Sequence, residues 1–454
     1  MSKLFGTDGI RGLANRYPMN AELAFQLGHT IGYYNKRGAN RNVLLGKDTR
    51  VSGDMLEAAL TAGLCSSGAN VLKTGVITTP AVGYLTKYYH AGMGIVISAS
   101  HNPYYDNGIK LFQGDGFKIN TKIEKEIEEI LFQEKYKKVQ NTGKNIGKVI
   151  PIEEARKVYI KHLVDTIPQN FKKPDYKIIL DCANGSSSHI IPELFTQLGI
   201  NFKTINNTPN GVNINRKCGS TYIYSLQEIV LKEKADLGLA FDGDADRMLA
   251  VDEKGALVDG DQIMIIFANA FMKEERLGNN IIVTTHMSNL GFDETIEEIG
   301  GSVIRTDIGD KNVLSKMLIV NSLLGGEQSG HIILLPYSPN GDGIITSFHL
   351  LNALNKKNDR VSVQAGQMKK YFQKLINYKI SNKKHLLQNE NFKKMNEEIE
   401  QYLKGEGRIL IRLSGTENKI RVLLESKEEK KIKECEEIIN EYIASLSNFN
   451  INNL

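Results

Sequence analysis

Three aspartates that follow a short apolar segment are the residues in this chain most suited to binding a cation. Asp242, Asp244 and Asp246 lie in the sequence DGDADR, directly after Leu237–Phe241. Three carboxylates this close together repel one another unless a hard divalent cation neutralises them. A calcium-binding EF-hand is an alternative, but Arg247 occupies the sixth position, where that loop needs glycine. The spacing therefore favours a Mg²⁺ site over a solvated acidic turn.

A second polar loop, ISASHNPYYDNGIK at residues 97–110, follows another apolar segment and contains Ser100. Its neighbours His101 and Lys110 could supply positive charge or move a proton, which a serine hydroxyl needs to act as a nucleophile. The same residue types are also common in turns. No G-x-S-x-G sequence occurs in the chain, which argues against an esterase-type serine. Ser100 is therefore a candidate nucleophile for another kind of transfer.

A third loop, GGEQSGHII at residues 325–333, combines glycines with polar side chains. Glu327 and Ser329 offer a carboxylate and a hydroxyl suited to sugar hydroxyls or an amine, and His331 follows them. A glycine-rich turn with a hydrogen-bonded histidine explains the same residues equally well.

A fourth loop, RLSGTENKIR at residues 412–421, offers the groups that bind phosphate. Arg412, Ser414, Gly415, Thr416 and Arg421 supply guanidinium, hydroxyl and backbone N–H donors. A simple hairpin turn is the alternative. No Walker loop or dinucleotide fingerprint occurs, so nucleotide binding has no motif support.

Three β-α-β patterns position the first three loops. Apolar strands begin near residues 43, 178 and 281, and each precedes a helical pattern that ends at a glycine and a second strand. They predict three related α/β domains with mixed or parallel sheets. The lysine-rich stretch 356–394 is interpreted as a linker and a solvated helix face, followed by strands at 408–413 and 420–424 and a closing helix.

Composition excludes several classes of protein. The 454 residues carry 57 Lys and Arg against 52 Asp and Glu, and a net charge of +5 gives weak support for nucleic acid as a partner. The longest apolar stretch is too short to cross a bilayer, and the four cysteines form no CxxC pair. We therefore expect a soluble, cytoplasmic protein with neither nucleic acid nor membrane as its partner.

In this order, the loops resemble those of the α-D-phosphohexomutase superfamily along essentially the whole chain. The opening FGTDGIRG at residues 5–12 and the SASHNP, DGDADR, GEQSGH and RxSGTE sequences carry the resemblance. Further stretches are GVNIN at 211–215, CGST at 218–221, VDGDQ at 258–262 and MSNLG at 287–291. They resemble the bacterial branch that interconverts glucosamine 6-phosphate and glucosamine 1-phosphate on the route to UDP-N-acetylglucosamine.

The resemblance implies four domains, each with one functional loop. Three α/β domains span residues 1–150 with the serine loop, 151–254 with the metal loop and 255–366 with the sugar loop. A smaller α+β domain, similar to TATA-box-protein-like folds, spans 367–454 and carries the phosphate loop.

The resemblance also implies roles for individual residues in phosphoryl transfer. Ser100 would be carried as a phosphoserine, and its phosphate would hold one Mg²⁺ per subunit together with Asp242, Asp244 and Asp246. A sugar 1,6-bisphosphate would be the intermediate and the activator. Further positive charge would come from Arg11 and Arg247. Acid–base assistance would come from His101 or Lys110, which the sequence does not rank, with burial beside other cations lowering the pKa of Lys110.

The remaining site residues would hold the phosphosugar substrate. Glu327, Ser329 and His331 would contact the sugar, and the loop from Arg412 to Arg421 would grip the phosphate that is not reacting. Leu413 and Asn418 replace two prolines usual in that loop, which predicts weaker preorganisation. Lys311 stands where arginine is more usual.

Three other functions stay open at this point. A phosphoglucomutase or phosphomannomutase would share the same loops and differ in substrate preference. A catalytically silent phosphosugar-binding protein would be expected to lack Ser100 or the aspartates, and a metal-dependent phosphohydrolase would release free phosphate. The sequence leaves the oligomeric state open, with a homodimer as one alternative.

Overall fold

The computed structural model describes residues 4–6, 8–36, 40–139, 141–169, 171–357, 359–379, 386, 389–413 and 419–449. The described residues of Met1–Met287 and Ile299–Gln367 form one compact unit, and those of Ser288–Glu298 and Met368–Leu454 form a second. In the part of the chain that is described, no helix combines the length and hydrophobicity needed to cross a membrane.

The first domain is a six-stranded sheet with helices packed against it. Its elements in chain order are β1 (Ile10–Leu13), α1 (Ala21–Asn35), β2 (Asn42–Lys47), α2 (Gly53–Ser66), β3 (Asn70–Val76), α3 (Thr79–Tyr88), β4 (Met93–Ile97), β5 (Asp106–Gln113), α4 (Thr121–Phe132) and β6 (Val149–Pro151). The sheet order is β1-β5-β4-β2-β3-β6, in which β4, β2, β3 and β6 are parallel, β5 is antiparallel to β4, and β1 is antiparallel to β5. Every residue of β4 is buried, as expected for a central strand with both faces covered.

The second domain repeats this arrangement with five strands. Its elements are α5 (Ala155–Thr166), β7 (Ile178–Asp181), α6 (Ile190–Gln197), β8 (Phe202–Ile205), α7 (Tyr224–Glu233), β9 (Leu237–Phe241), β10 (Met248–Asp252) and β11 (Leu257–Val258). The order is β11-β10-β9-β7-β8, in which β9, β7 and β8 are parallel, β10 is antiparallel to β9, and β11 is antiparallel to β10.

The third sheet has four strands and lies in the larger unit. The elements of this stretch are α8 (Gly260–Lys273), β12 (Ile281–Thr285), α9 (Leu290–Glu298), β13 (Ser302–Thr306), α10 (Asp310–Val320), β14 (Leu324–Gly326), β15 (Ile332–Leu334), α11 (Gly343–Lys357) and α12 (Val361–Ala365). The order is β13-β12-β14-β15, with only β15 antiparallel to its neighbour. Helix α9 belongs to the smaller unit. The three α/β sheets predicted from the sequence are confirmed.

The rest of the smaller unit is an antiparallel sheet with two helices. Its elements are β16 (Phe372–Lys379), α13 (Glu390–Leu403), β17 (Gly407–Leu413), β18 (Lys419–Ser426) and α14 (Glu429–Phe449), with sheet order β16-β18-β17. Apolar residues of both helices pack with Ile420, Val422 and Leu424 of the central strand in one core. The expected small α+β domain is confirmed.

The interpretation of residues 356–394 as linker and solvated helix was wrong for β16. This strand pairs with β18 over eight positions, from Phe372 opposite Ser426 to Lys379 opposite Lys419. Its side chains are half-buried or exposed, so the strand is held mainly by pairing with a distant segment and has a weak local signature.

Candidate active site

The three functional loops of the larger unit occupy the same position in their sheets. The serine loop joins β4 to β5, the metal loop joins β9 to β10, and the loop with Glu327 joins β14 to β15. In each pair, the first strand has a parallel neighbour and the second strand is antiparallel to it. All three loops thus follow the carboxyl ends of buried strands, where ligand sites of α/β sheets form.

Ser100 is held in a left-handed backbone conformation with φ of 50° and is 1% exposed. A serine at positive φ is uncommon and is maintained by surrounding contacts. Its N–H donates to Oγ of Ser98 at 2.9 Å, and its own Oγ donates to Oδ2 of Asp242 at 2.6 Å. The hydroxyl therefore points from the first domain at the metal loop of the second.

The three predicted metal aspartates converge. One carboxylate oxygen from each of Asp242, Asp244 and Asp246 lies within 4.8 Å of the other two, and all three side chains are buried. Oδ1 of Asp244 and Oδ1 of Asp246 have no hydrogen-bond partner among the described residues. Buried carboxylate oxygens without donors are the ligands that a hard divalent cation requires. The loop fits a divalent metal ion.

The three carboxyl groups differ in their surroundings. Burial raises the pKa of Asp242 well above its ordinary value, and the carboxylates of Asp246 and Asp244 raise it further. Burial also acts to raise the pKa of Asp244, but contacts with Lys110 and Thr79 outweigh it and lower that pKa. Oγ1 of Thr79 donates to Oδ2 of Asp244 at 2.6 Å, and Nζ of Lys110 donates to the same oxygen at 2.9 Å. These two donors fix the Asp244 carboxylate while leaving its other oxygen for a ligand.

Lys110 is buried among carboxylates, and the expectation that neighbouring cations lower its pKa was wrong. Besides Asp244, its Nζ lies 3.1 Å from Oδ2 of Asp8 and 3.3 Å from Oδ2 of Asp246. Burial acts to lower the pKa of Lys110, but these three carboxylates outweigh it and hold the pKa well above its ordinary value. Arg11 opposes them only weakly by comparison. Lys110 is therefore a fixed positive charge beside the metal loop.

His101 is neutral in the same site. Burial lowers its pKa to about 3, and the positive charges of Arg247 and Arg11 act in the same direction. Its Nδ1 lies 3.3 Å from Oγ of Ser100. The structure thus places His101 beside Ser100 and Lys110 beside the metal aspartates, in different charge states.

Arg11 and Arg247 keep guanidinium donors available. Arg11 forms an ion pair with Asp8, while Nε of Arg247 lies 3.9 Å from Oδ1 of Asp246. Nε of each arginine is buried and, among the described residues, has no hydrogen-bond partner. Such donors suit an anionic ligand with several oxygens, such as a phosphate group.

Glu327 and Ser329 lie on the β14–β15 loop, as predicted. Oε1 of Glu327 accepts a hydrogen bond from the N–H of Gly309 at 3.1 Å. The buried Oγ of Ser329 has no partner within the described ranges. This hydroxyl and the second oxygen of Glu327 have the chemistry to bind sugar hydroxyls.

His331 packs against two carboxylates. Its Nδ1 lies 3.7 Å from Oδ1 of Asp246, and its Nε2 lies 3.8 Å from Oδ2 of Asp310. Burial acts to lower its pKa, but these carboxylates outweigh it and raise the pKa. His331, Asp310 and Lys118 also line a cavity of about 460 Å³. The histidine thus lies between the metal loop and this cavity.

The phosphate loop of the smaller unit is described in part. Arg412 on β17 and Arg421 on β18 are opposite each other in the ladder, and both are exposed. The predicted phosphate ligands Ser414, Gly415 and Thr416 lie outside the described residues.

Sequence reasoning missed Arg50, whose side chain donates several hydrogen bonds to the backbone of the serine loop. Its guanidinium donates to the carbonyl oxygens of Ser100 at 2.9 Å, Asn102 at 2.8 Å and Asp106 at 3.1 Å, and its Nε donates to Asp48 at 2.8 Å. Arg50 is 3% exposed. The available signal was a charged pair directly after β2, a parallel neighbour of β4.

Asp8, Thr79 and Lys118 were also missed as site residues. Lys118 forms ion pairs with Asp8 and with Asp310, so it connects the first domain to the third. Asp8 lay inside the noted FGTDGIRG sequence, but Lys118 and Thr79 carry no local pattern that would single them out.

Comparison with known proteins gives four matching family models in this order along the chain. They describe phosphoglucomutase/phosphomannomutase alpha/beta/alpha domain I at residues 2–138, domain II at 157–255, domain III at 259–371 and the C-terminal domain at 375–441.

Curated relatives match over nearly the whole chain. Phosphoglucosamine mutase of Acetivibrio thermocellus is 47% identical over 449 residues, which cover 97% of this chain and 99% of the relative. Phosphoglucosamine mutase of Carboxydothermus hydrogenoformans is 46% identical over 445 residues, covering 98% and 99%. Among solved structures, a phosphoglucomutase/phosphomannomutase family protein of Burkholderia thailandensis has a TM-score of 0.80 at 21% identity, covering 98% of this chain and 97% of that one.

Proposed function

This chain belongs to the phosphoglucomutase/phosphomannomutase family, and we propose that it is a phosphoglucosamine mutase, an isomerase that interconverts glucosamine 6-phosphate and glucosamine 1-phosphate. The observation that carries the chemistry is the 2.6 Å hydrogen bond from Oγ of Ser100 to Asp242, beside two further buried carboxylates. The relatives that support this substrate share 46–47% identity with the chain. The product lies on the route to UDP-N-acetylglucosamine.

In the proposed reaction, Ser100 carries a phosphoryl group on its Oγ. A hydroxyl oxygen of the sugar phosphate attacks that phosphorus and gives its proton to a base, while the bond from phosphorus to Oγ breaks and Oγ takes up a proton. The product is glucosamine 1,6-bisphosphate. Oγ of Ser100 then attacks the phosphorus at the other position and loses its proton to a base. The bond from that phosphorus to the sugar oxygen breaks, and this oxygen takes up a proton, which leaves the isomeric monophosphate. A sugar 1,6-bisphosphate would also phosphorylate an unloaded serine, which makes it an activator.

We propose that Asp242, Asp244 and Asp246 hold one Mg²⁺ per subunit, together with the phosphate on Ser100. When bound, the ion supplies positive charge that stabilises the transferring group. The fit rests on the two carboxylate oxygens that lack donors among the described residues.

The positive side chains around the serine stabilise the same charge. Lys110 presents an ammonium held by three carboxylates, and Arg11 and Arg247 present guanidinium donors. His101 and Lys110 are the two candidates for acid–base assistance at the attacking or departing oxygen. The neutral imidazole of His101, 3.3 Å from Oγ of Ser100, supports His101 as the group that accepts a proton. Three carboxylates hold the pKa of Lys110 well above its ordinary value, which supports charge stabilisation by Lys110 and argues against proton transfer by it.

Binding of the rest of the substrate falls to the other two loops. Glu327, Ser329 and His331 would contact the sugar, and Arg412 and Arg421, with Ser414, Gly415 and Thr416, would hold the distal phosphate. Exposed guanidinium groups on neighbouring strands support the second role.

We also propose that the domain boundaries lie near residues 150, 254 and 366 and that the protein is cytoplasmic. Cys65, Cys182, Cys218 and Cys435 are free thiols in the structure, which suits a reducing compartment. Homodimer formation stays a prediction that light scattering after size exclusion tests.

The test is ³¹P NMR of the purified enzyme with Mg²⁺ and a trace of sugar 1,6-bisphosphate. Glucosamine, glucose and mannose 6-phosphates are offered separately, and initial rates of 1-phosphate formation are compared. We expect the glucosamine compound to be converted fastest. Faster conversion of another sugar would indicate a sister mutase, and release of free phosphate alone would refute the mutase function.

A further inference from the structure

The GVNIN segment at residues 211–215 has no role in the reaction described so far, yet it packs on the serine loop. Nδ2 of Asn215 donates to the carbonyl oxygen of Ser100 at 2.8 Å and to that of Asn102 at 3.1 Å. Nearby, the N–H of Val51 donates to the carbonyl of Gly211 at 2.9 Å. The second domain thus reaches the backbone of the reactive serine through one amide group.

The orientation of the Asn215 amide follows from its partners. The opposite orientation would place Oδ1 against two carbonyl oxygens, so the NH₂ group must face Ser100 and Asn102. Oδ1 has no hydrogen-bond partner among the described residues. The backbone of Asn215 has φ of 57°, and its N–H donates to the carbonyl of Ala183 at 2.9 Å. Both hydrogen bonds of its side chain therefore serve the serine loop.

The metal loop meets the same two groups. A Cβ at Gly243 would lie 2.7 Å from the carbonyl oxygen of Ser100 and 2.8 Å from Nδ2 of Asn215. Only glycine allows this approach, because no heavy atom fits at those distances. Asn215 thus lies where the serine loop touches the loop that carries Asp242.

We propose that Asn215 is a positioning residue that sets Oγ of Ser100 relative to the metal loop. Its amide holds the Ser100 carbonyl oxygen, and the carbonyl carbon is bonded directly to the Cα that carries the side chain, so a shift of this carbonyl displaces Oγ as well. The proposal rests on the proposed function, since it assigns a role in phosphoryl transfer through Ser100. Asn215 acts through Ser100, whose carbonyl oxygen its amide contacts.

The experiment compares Asn215→Gly and Asn215→Asp with the wild type. Glycine and aspartate both tolerate positive φ, so both substitutions remove the amide donor while preserving the backbone. Asn207→Asp is the matched control, because Nδ2 of Asn207 donates to Oγ1 of Thr204 at 3.0 Å, near the end of β8 and away from the serine loop. Circular dichroism and thermal melting verify the fold of each variant.

Two rates are measured: transfer of ³²P from labelled glucosamine 1,6-bisphosphate to Ser100 in a single turnover, and steady-state kcat. We expect both to fall about 10- to 100-fold, as for a reacting group displaced by a fraction of an ångström to 1 Å. The loss should be larger for aspartate, whose carboxylate faces two carbonyl oxygens. KM and the Mg²⁺ concentration for half-maximal rate should not change, and the control should match the wild type.

The outcomes separate this proposal from the proposed function. If both variants transfer ³²P to Ser100 at the wild-type rate, the positioning role alone is overturned. A rise in KM with kcat unchanged would also overturn it. A wild-type enzyme that transfers no phosphoryl group to Ser100 would overturn the proposed function and this role with it.

Discussion

The charged groups around Ser100 and those at the end of the β17–β18 hairpin are arranged in opposite ways. In the larger unit, Lys110 is 2% exposed and Asp244 is fully buried, and each has fixed partners. In the smaller unit, Arg412 and Arg421 are exposed on adjacent strands. Groups proposed to stabilise charge at one reacting atom are held in place by fixed partners, whereas groups proposed to bind a phosphate by its outer oxygens remain at the surface.

Electrostatics explains why this difference suits the two tasks. Buried charges interact far more strongly than exposed ones because water does not screen them. Burial is costly, so each buried charge needs partners, and Lys110 has three carboxylates. An exposed guanidinium costs little to keep and forms bidentate hydrogen bonds when an anion arrives. Damage to the two regions should therefore change different kinetic constants.

The largest effect should follow removal of the serine hydroxyl. Ser100→Ala deletes the group that carries the phosphoryl, so kcat should fall by at least about a thousandfold with the fold intact. Ser67→Ala, which removes another buried hydroxyl at the end of α2, should leave kcat unchanged. Steady-state assays and circular dichroism check this. Wild-type turnover by the Ser100 variant would remove the serine from its proposed role.

Loss of a metal ligand should come next. Asp244→Asn should lower kcat by about 100-fold and raise the Mg²⁺ requirement, because it removes a charged oxygen from the cluster. Asp54→Asn, at an exposed carboxylate, is the control. A titration of initial rate against Mg²⁺ distinguishes them. An unchanged Mg²⁺ requirement would contradict the assignment of the acidic loop.

Mg²⁺ should also stabilise the wild-type protein directly. At 100 times its dissociation constant, a ligand specific to the native state adds about 2.7 kcal/mol to the free energy of unfolding. Thermal melting with EDTA and with excess Mg²⁺ measures this. The gain should shrink in Asp244→Asn, and an equal gain in both proteins would place the ion elsewhere.

Substitutions in the β17–β18 hairpin should mainly change KM. Arg421→Ala should raise KM about 10- to 100-fold, the loss of a charge-assisted hydrogen bond to phosphate, with a smaller change in kcat. Arg156→Ala, at a half-exposed arginine of α5, is the control. Should KM stay at its wild-type value, the phosphate-binding role of the hairpin would be refuted.

The smallest effect on catalysis should come from Lys311, which lines the same cavity as His331 and forms an ion pair at its edge. Its Nζ pairs with the buried carboxylate of Glu124. Lys311→Ala should lower the free energy of unfolding by about 1–3 kcal/mol, because Glu124 is left unpaired, and Lys311→Arg should retain most of it. Urea unfolding measures the change. kcat and KM should stay constant in both variants, and a shift in either would connect Lys311 to substrate.

Local sequence was enough to predict the parts of the site that lie within one loop. Ser100 and the three aspartates follow buried apolar strands in short polar segments, and the strand-end position made them recognisable. Arg50 carried no recognisable pattern, and Asn215 belonged to a noted segment without an assigned role, because their contacts with the serine loop are hydrogen bonds to residues 50 to 115 positions away. The prediction of a lowered pKa for Lys110 was wrong for the same reason, because the three carboxylates around it come from two other segments of the chain.

Strand β16 shows the same limit for the fold. Half of its residues are polar and they do not alternate regularly with the apolar ones, and its pairing partner β18 lies about 45 residues further along the chain, so the local pattern is weak. The α/β domains were easier because their strands are apolar on both faces and alternate with helices.

The two-segment composition of the smaller unit bears on how this protein could be shortened or recombined. Helix α9 and the residues before it are separated in sequence from the rest of that unit, yet Arg408 donates to the carbonyl of Ser288 at 2.7 Å and Glu425 accepts from the N–H of Leu290 at 2.7 Å. A gene truncated after codon 367 would delete Arg408 and Glu425 and leave α9 without these partners. A chimera that exchanges the last domain with a relative therefore has to exchange α9 as well, so the portable module of this enzyme is not a continuous stretch of its gene.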